Sequence, residues 1–118
     1  MRRSLIGLTL VALVLAACGG TATPAATGPK ITLELTEFAY STTAIEVPAG
    51  QKITLELRNK GTVEHDFTID AIGLKAIVKA GQTAQRAIGP FEAGTTYDVY
   101  CSVAGHKESG MTAKLIVK

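Results

Sequence analysis

From residue 30 onward apolar side chains recur at every second position, and that period restricts most of the chain to strands. Ile31, Leu33 and Leu35 alternate with Thr32, Glu34 and Thr36, and Ile53, Leu55 and Leu57 alternate with Lys52, Thr54, Glu56 and Arg58. A strand buried on one face carries this pattern. Shorter runs at 44–47, 67–69, 76–78, 83–88, 96–101 and 112–118 bring the expected total to about eight strands. No stretch keeps a helical period for three turns. Turn chemistry separates the runs at Pro48-Ala49-Gly50, Asn59-Lys60-Gly61, Ala80-Gly81, Gly89-Pro90 and Ala93-Gly94. The prediction is an all-β domain over residues 30–118, an antiparallel Greek-key sandwich or small barrel, with a short helix or irregular loop near 71–75.

Residues 1–17 are read differently. Arg2 and Arg3 precede an apolar stretch from Leu5 that ends in Leu15-Ala16-Ala17-Cys18, the layout of an export signal. Thirteen apolar residues make a helix of roughly 20 Å, short of a hydrocarbon core of about 30 Å, which disfavours a permanent span. The small residues before Cys18 resemble a bacterial lipobox, and that resemblance implies cleavage ahead of Cys18 and lipid on its sulfur. Residues 18–29 then form a flexible tether of Gly, Ala, Thr and Pro. Its eleven residues after Cys18 reach at most roughly 40 Å, holding the β-domain close to a membrane surface without embedding it.

Two cysteines in an exported chain normally suggest a disulfide. If Cys18 carries lipid, Cys101 is left unpaired in an oxidising compartment, and a metal ion is one way to hold it as thiolate. The same subtraction alters the charge. Twelve Lys and Arg less the two of the signal leave ten against ten Asp and Glu, so the mature chain is neutral and gives no reason to expect nucleic acid as a partner.

Beyond the signal the chain has two histidines and one methionine, and both His65 and His106 can be grouped with Cys101 and Met111. Cys101, His106 and Met111 share one run, Cys101-Ser102-Val103-Ala104-Gly105-His106-Lys107-Glu108-Ser109-Gly110-Met111, while His65 lies upstream in Glu64-His65-Asp66-Phe67. A thiolate, two imidazoles and a weak thioether are the donor set of a type 1 copper electron-transfer site. Nine residues between Cys101 and Met111 must form a loop at one end of a sandwich, where His65, opening a strand, projects from the same end. Gly105 and Gly110 permit tight turns beside His106 and Met111.

These features resemble the cupredoxin, or type 1 blue-copper, family over nearly all of residues 30–118. The resemblance rests on Val47-Pro48-Ala49-Gly50, on Asn59 through His65-Asp66-Phe67, and on Tyr97-Asp98-Val99-Tyr100-Cys101 leading into Gly105-His106 and Gly110-Met111. Four residues between Cys101 and His106, and four between His106 and Met111, are similar to the auracyanin- and rusticyanin-like branch; plastocyanin has a shorter first gap. The resemblance implies one copper ion with His65, Cys101 and His106 equatorial and Met111 axial. It implies a monomeric carrier of single electrons, serving redox protein partners of a respiratory or photosynthetic chain from a membrane anchor facing the periplasm or cell exterior. It also implies that His106 lies nearer the surface than Cys101, beside Val103 and Ala104. Two positions depart from the family pattern: Asp66 stands where many relatives have Asn linking the ligand loops, and Ala104 replaces a common Pro.

Each residue has a plainer reading. Cys101 or Met111 alone would pass as core filling, Glu64 and Asp66 as surface or loop carboxylates, and Tyr97, Tyr100, Phe67 and Phe91 as core or shielding aromatics. Two other functions compete with electron transfer. Copper delivery by a chaperone needs an exposed, exchangeable site, and a thiol enzyme would use Cys101 with His106 although that pairing lacks a family signature.

Overall fold

The computed structural model describes residue 19 and residues 28–118. The segment expected to be an export signal, Cys18 and most of the expected tether lie outside the described residues. Among the described residues no helix is long and apolar enough to cross a membrane.

Alternation becomes burial as expected. In β1 (Lys30–Thr36) Leu33 and Leu35 face inward, and in β4 (Ile53–Asn59) Ile53, Leu55 and Leu57 are fully buried. Between them come β2 (Ala39–Tyr40) and β3 (Ala44–Val47), followed by β5 (His65–Ile69), β6 (Leu74–Val78), β7 (Thr83–Ile88), β8 (Thr96–Tyr100) and β9 (Thr112–Val117). One 3-10 turn, Asp70–Ile72, separates β5 from β6. It is ended by Gly73 in the left-handed region, whose N–H donates to the Asp70 carbonyl at 3.0 Å. The helix or loop expected at 71–75 is therefore this turn, with Leu74 and Lys75 already in β6.

The strands form two sheets, ordered β2-β1-β4-β7 and β3-β9-β8-β5-β6. Leu33, Leu35, Leu55, Leu57, Phe67 and Leu115, each 0% exposed, belong to the core they share. Burying one Leu or Phe contributes about 1.5–3 kcal/mol, so this layer supplies the main drive for folding.

The sandwich is confirmed, and its purely antiparallel character is corrected. β1 runs parallel to β4, with Leu33 opposite Leu57, and β3 runs parallel to β9, with Ile45 opposite Leu115. After the β1–β2 hairpin the chain crosses to the second sheet as β3, then returns as β4 and settles beside β1 in the same direction. Period two reports which face of a strand is buried but not which strand it meets. The strands number nine among the described residues, because β2, with two residues, is too short to show any period.

Candidate metal centre

Strand ends bring the four sequence-derived candidates to one pole. His65 opens β5, Cys101 follows directly on β8 and Met111 directly precedes β9. The loop between them is closed by its own backbone: Cys101 N–H donates to the Met111 carbonyl at 3.1 Å, and Met111 N–H to the His106 carbonyl at 3.0 Å. Gly105 and Gly110 have φ of 81° and 101°, values that other residues adopt at a cost. Glycine there lets the loop fold back so that His106 faces inward.

The donor atoms converge. Nδ1 of His65 lies 3.2 Å from Nδ1 of His106, which is 3.5 Å from Sγ of Cys101. Ligand atoms of all three residues lie within 4.8 Å of one another. Three N and S donors bonded at about 2.0–2.3 Å and spread trigonally about one ion are separated by roughly 3.5–3.8 Å. The cluster thus has the size of a coordination sphere. His65, Cys101 and Met111 are 0% exposed and His106 is 8% exposed, so His106 lies nearer the surface than Cys101, as expected.

The electrostatics suit neutral nitrogen donors at this site. Burial first, and then His106 opposite, push the His65 pKa down, which keeps its imidazole neutral and able to donate a lone pair. Burial pushes the Cys101 thiol up, so without a metal this buried, unpaired cysteine favours its protonated form. The Asp66 N–H, 3.4 Å from Cys101 Sγ, is oriented to support a thiolate once an ion displaces the proton. His65 Nε2 is buried with no hydrogen-bond partner among the described residues.

Of three surrounding features, two were not read from the sequence and the third, Asp66, was singled out there only as a departure at a position where relatives link the ligand loops. Asp66 is buried rather than at the surface: its Oδ1 accepts from Ser102 N–H at 2.8 Å and Thr68 Oγ1 at 2.8 Å, and its Oδ2 from Ser102 Oγ at 2.6 Å. The carboxylate thus joins β5 to the loop after Cys101 and takes no part in the donor cluster. Phe38, with φ of 64°, is 48% exposed and sets its ring edge-on to His106 at 5.2 Å. Its neighbour Glu37 has Oε1 4.0 Å from His65 Nε2. Both residues lie in the β1–β2 turn, a segment without periodicity or metal-ligand spacing. Of the aromatics, Phe67 and Phe91 are core residues, whereas Tyr100 donates to Asp70 at 3.0 Å and lies under the Lys107 ammonium, 4.2 Å from its ring centroid.

A two-sheet β-sandwich with a His-Cys-His cluster at one pole defines a class, and both are consistent with a single type 1 copper ion. The chain belongs to the cupredoxin-like domain family, whose model matches residues 8–117. No curated protein matches the sequence. Among solved structures it is similar to the Na-dithionite-reduced auracyanin of the photosynthetic bacterium Roseiflexus castenholzii (TM-score 0.66, 19% identity, covering 80% of this chain and 99% of that one). Auracyanin A, a "blue" copper protein of the green thermophilic photosynthetic bacterium Chloroflexus aurantiacus, gives a TM-score of 0.63 at 23% identity, covering 77% of this chain and 100% of that one. An azurin from the obligate methylotroph Methylomonas sp. strain J gives 0.59 at 19% identity, covering 75% and 97%. At these identities the likeness concerns the fold.

Proposed function

We propose that the protein is a one-electron carrier in which His65, Cys101, His106 and Met111 would hold one type 1 copper ion. The observation that carries this reading is the convergence of His65 Nδ1, His106 Nδ1 and Cys101 Sγ in a buried site. The ion would supply a cupric–cuprous couple. The chain's part is to hold the donors nearly still, since a site that moves little on reduction exchanges electrons quickly. Strand ends and the closed 101–111 loop support that rigidity. His106, the most exposed donor, is the natural point of exchange, with Phe38 edge-on to its ring and its N–H donating to the Val103 carbonyl at 3.0 Å; redox proteins are the partners.

Burial argues against the competing functions. A chaperone must release its ion, yet three of the four proposed ligands are 0% exposed. A thiol nucleophile must meet substrate as thiolate, yet Cys101 is enclosed and its pKa is raised. The proposed organisation is an export signal over 1–17, lipid on Cys18, a tether to residue 29 and a monomeric copper domain over 30–118. The protein would thus be tethered to a membrane and face the periplasm or cell exterior.

The test is the spectrum of the copper-loaded domain. We expect intense blue absorption, narrow copper hyperfine splitting and one copper per chain, with Cys101→Ser losing the colour. A pale protein with an ordinary tetragonal spectrum would overturn electron transfer in favour of copper delivery.

A further inference from the structure

His65 needs a bare Nδ1 to serve as a ligand, so its proton must reside on Nε2. A histidine's tautomer is set by the hydrogen bond its other nitrogen makes. No such bond is made among the described residues, although Nε2 is completely buried. Leaving a buried donor unsatisfied is unfavourable, which gives a nearby acceptor reason to close in.

One acceptor is poised to do so. Oε1 of Glu37 lies 4.0 Å from Nε2 and is steadied by the N–H of Thr62 and, at 2.9 Å, by its hydroxyl. These bonds fix the position of the Glu37 carboxylate beside the imidazole. Gly61 occupies the space between. A Cβ there would lie 2.6 Å from Glu37 Oε1 and 2.8 Å from His65 Nε2. The φ of Gly61 is not in the left-handed region, so its lack of a side chain serves space rather than backbone conformation.

We propose that Glu37 is the positioning residue of His65: after a small rotation its carboxylate accepts Nε2–H, fixing the tautomer that leaves Nδ1 bare and facing Cys101 and His106. What this does for copper rests on the electron-transfer reading; the contact itself belongs equally to the metal-free protein. The site thereby gains a negative charge behind one imidazole, which favours the cupric over the cuprous state.

Nitrogen-15 NMR of the imidazoles in the metal-free full chain tests the contact directly. We expect His65 to be a single Nε2–H tautomer in the parent and to lose that preference in Glu37→Ala and in Gly61→Ala, which inserts a methyl between the two groups. Glu37→Gln keeps an acceptor oxygen and should keep the tautomer. With copper, Glu37→Ala should bind Cu(II) ~10–100-fold more weakly, and both Glu37 variants should shift the reduction potential upward. An Nδ1–H tautomer in the parent, or a tautomer indifferent to Glu37→Ala, overturns the proposal even if the parent is blue. If the tautomer responds but the parent takes up no copper, the Glu37 contact stands and the electron-transfer reading falls.

Discussion

Asp66 shows how much one side chain organises this site. Both its oxygens are engaged, by two donors from Ser102 and one from Thr68, so the loop bearing Cys101 is tied to the strand bearing His65. Hydrogen bonds to a charged group contribute about 1.5–3 kcal/mol each, and stranding buried partners adds a penalty. We expect Asp66→Ala to destabilise the metal-free domain by about 2–4 kcal/mol in urea unfolding, and Asp66→Asn by less, because an amide oxygen still receives the Ser102 N–H. Equal unfolding midpoints for the parent and the Ala variant would show that the link contributes nothing. Met111, completely buried beside this loop, is tested by Met111→Leu. Copper binding should persist while the potential rises, because a hydrocarbon replaces a weak donor to the cupric ion; voltammetry with an unchanged value would remove Met111 from the ligand set.

Among the elements, the 101–111 loop matters most to function. Its inward fold depends on positive φ at Gly105 and Gly110, and a Cβ at Gly110 would meet nothing within 4 Å. Gly110→Ala therefore isolates backbone strain from packing. We expect it to cost about 1–2 kcal/mol by denaturant unfolding with the blue colour retained; a stability equal to the parent's would mean the loop relaxes at no cost. The expected bounds of 44–47 and 83–88 match β3 and β7, since four to six alternating residues between turns define a strand locally. In β5 the rule gives way. All five residues are buried: on the face away from Phe67, Asp66 accepts from Ser102 N–H and from the Thr68 hydroxyl, so both polar side chains are paired within the fold.

At the scale of the molecule, Glu56 links three strands. Register sets it opposite Thr32 of β1 and Gln85 of β7, where it pairs with Lys30, with Arg58 at 2.7 Å and with Gln85 at 2.7 Å. The Lys30 bond first, then Gln85, hold its carboxyl down to about 2 from an ordinary 4.5. The unfolded chain thus binds this proton at a higher pH than the folded one. Its contribution to stability is full above about pH 4.5 and is lost as pH falls toward 2. We expect the stability of Glu56→Gln to depend less steeply on pH than that of the parent across this window, in thermal melts of the metal-free domain; parallel curves would count against the linkage.

By itself the sequence determined the all-β class and eight of the nine strands. It also singled out the residues that meet at one pole, because side-chain period and donor chemistry are local properties that need no knowledge of partners. Only the tertiary structure decided that β1 pairs with β4 and β3 with β9 in parallel, that the carboxylate of Asp66 keeps the loop link which the family resemblance puts at that position, and that Glu37 and Phe38 of the β1–β2 turn reach His65 and His106. Those facts depend on which distant segments pack together, and strand pairing within each sheet is set by the whole core's burial rather than by any residue's immediate neighbours.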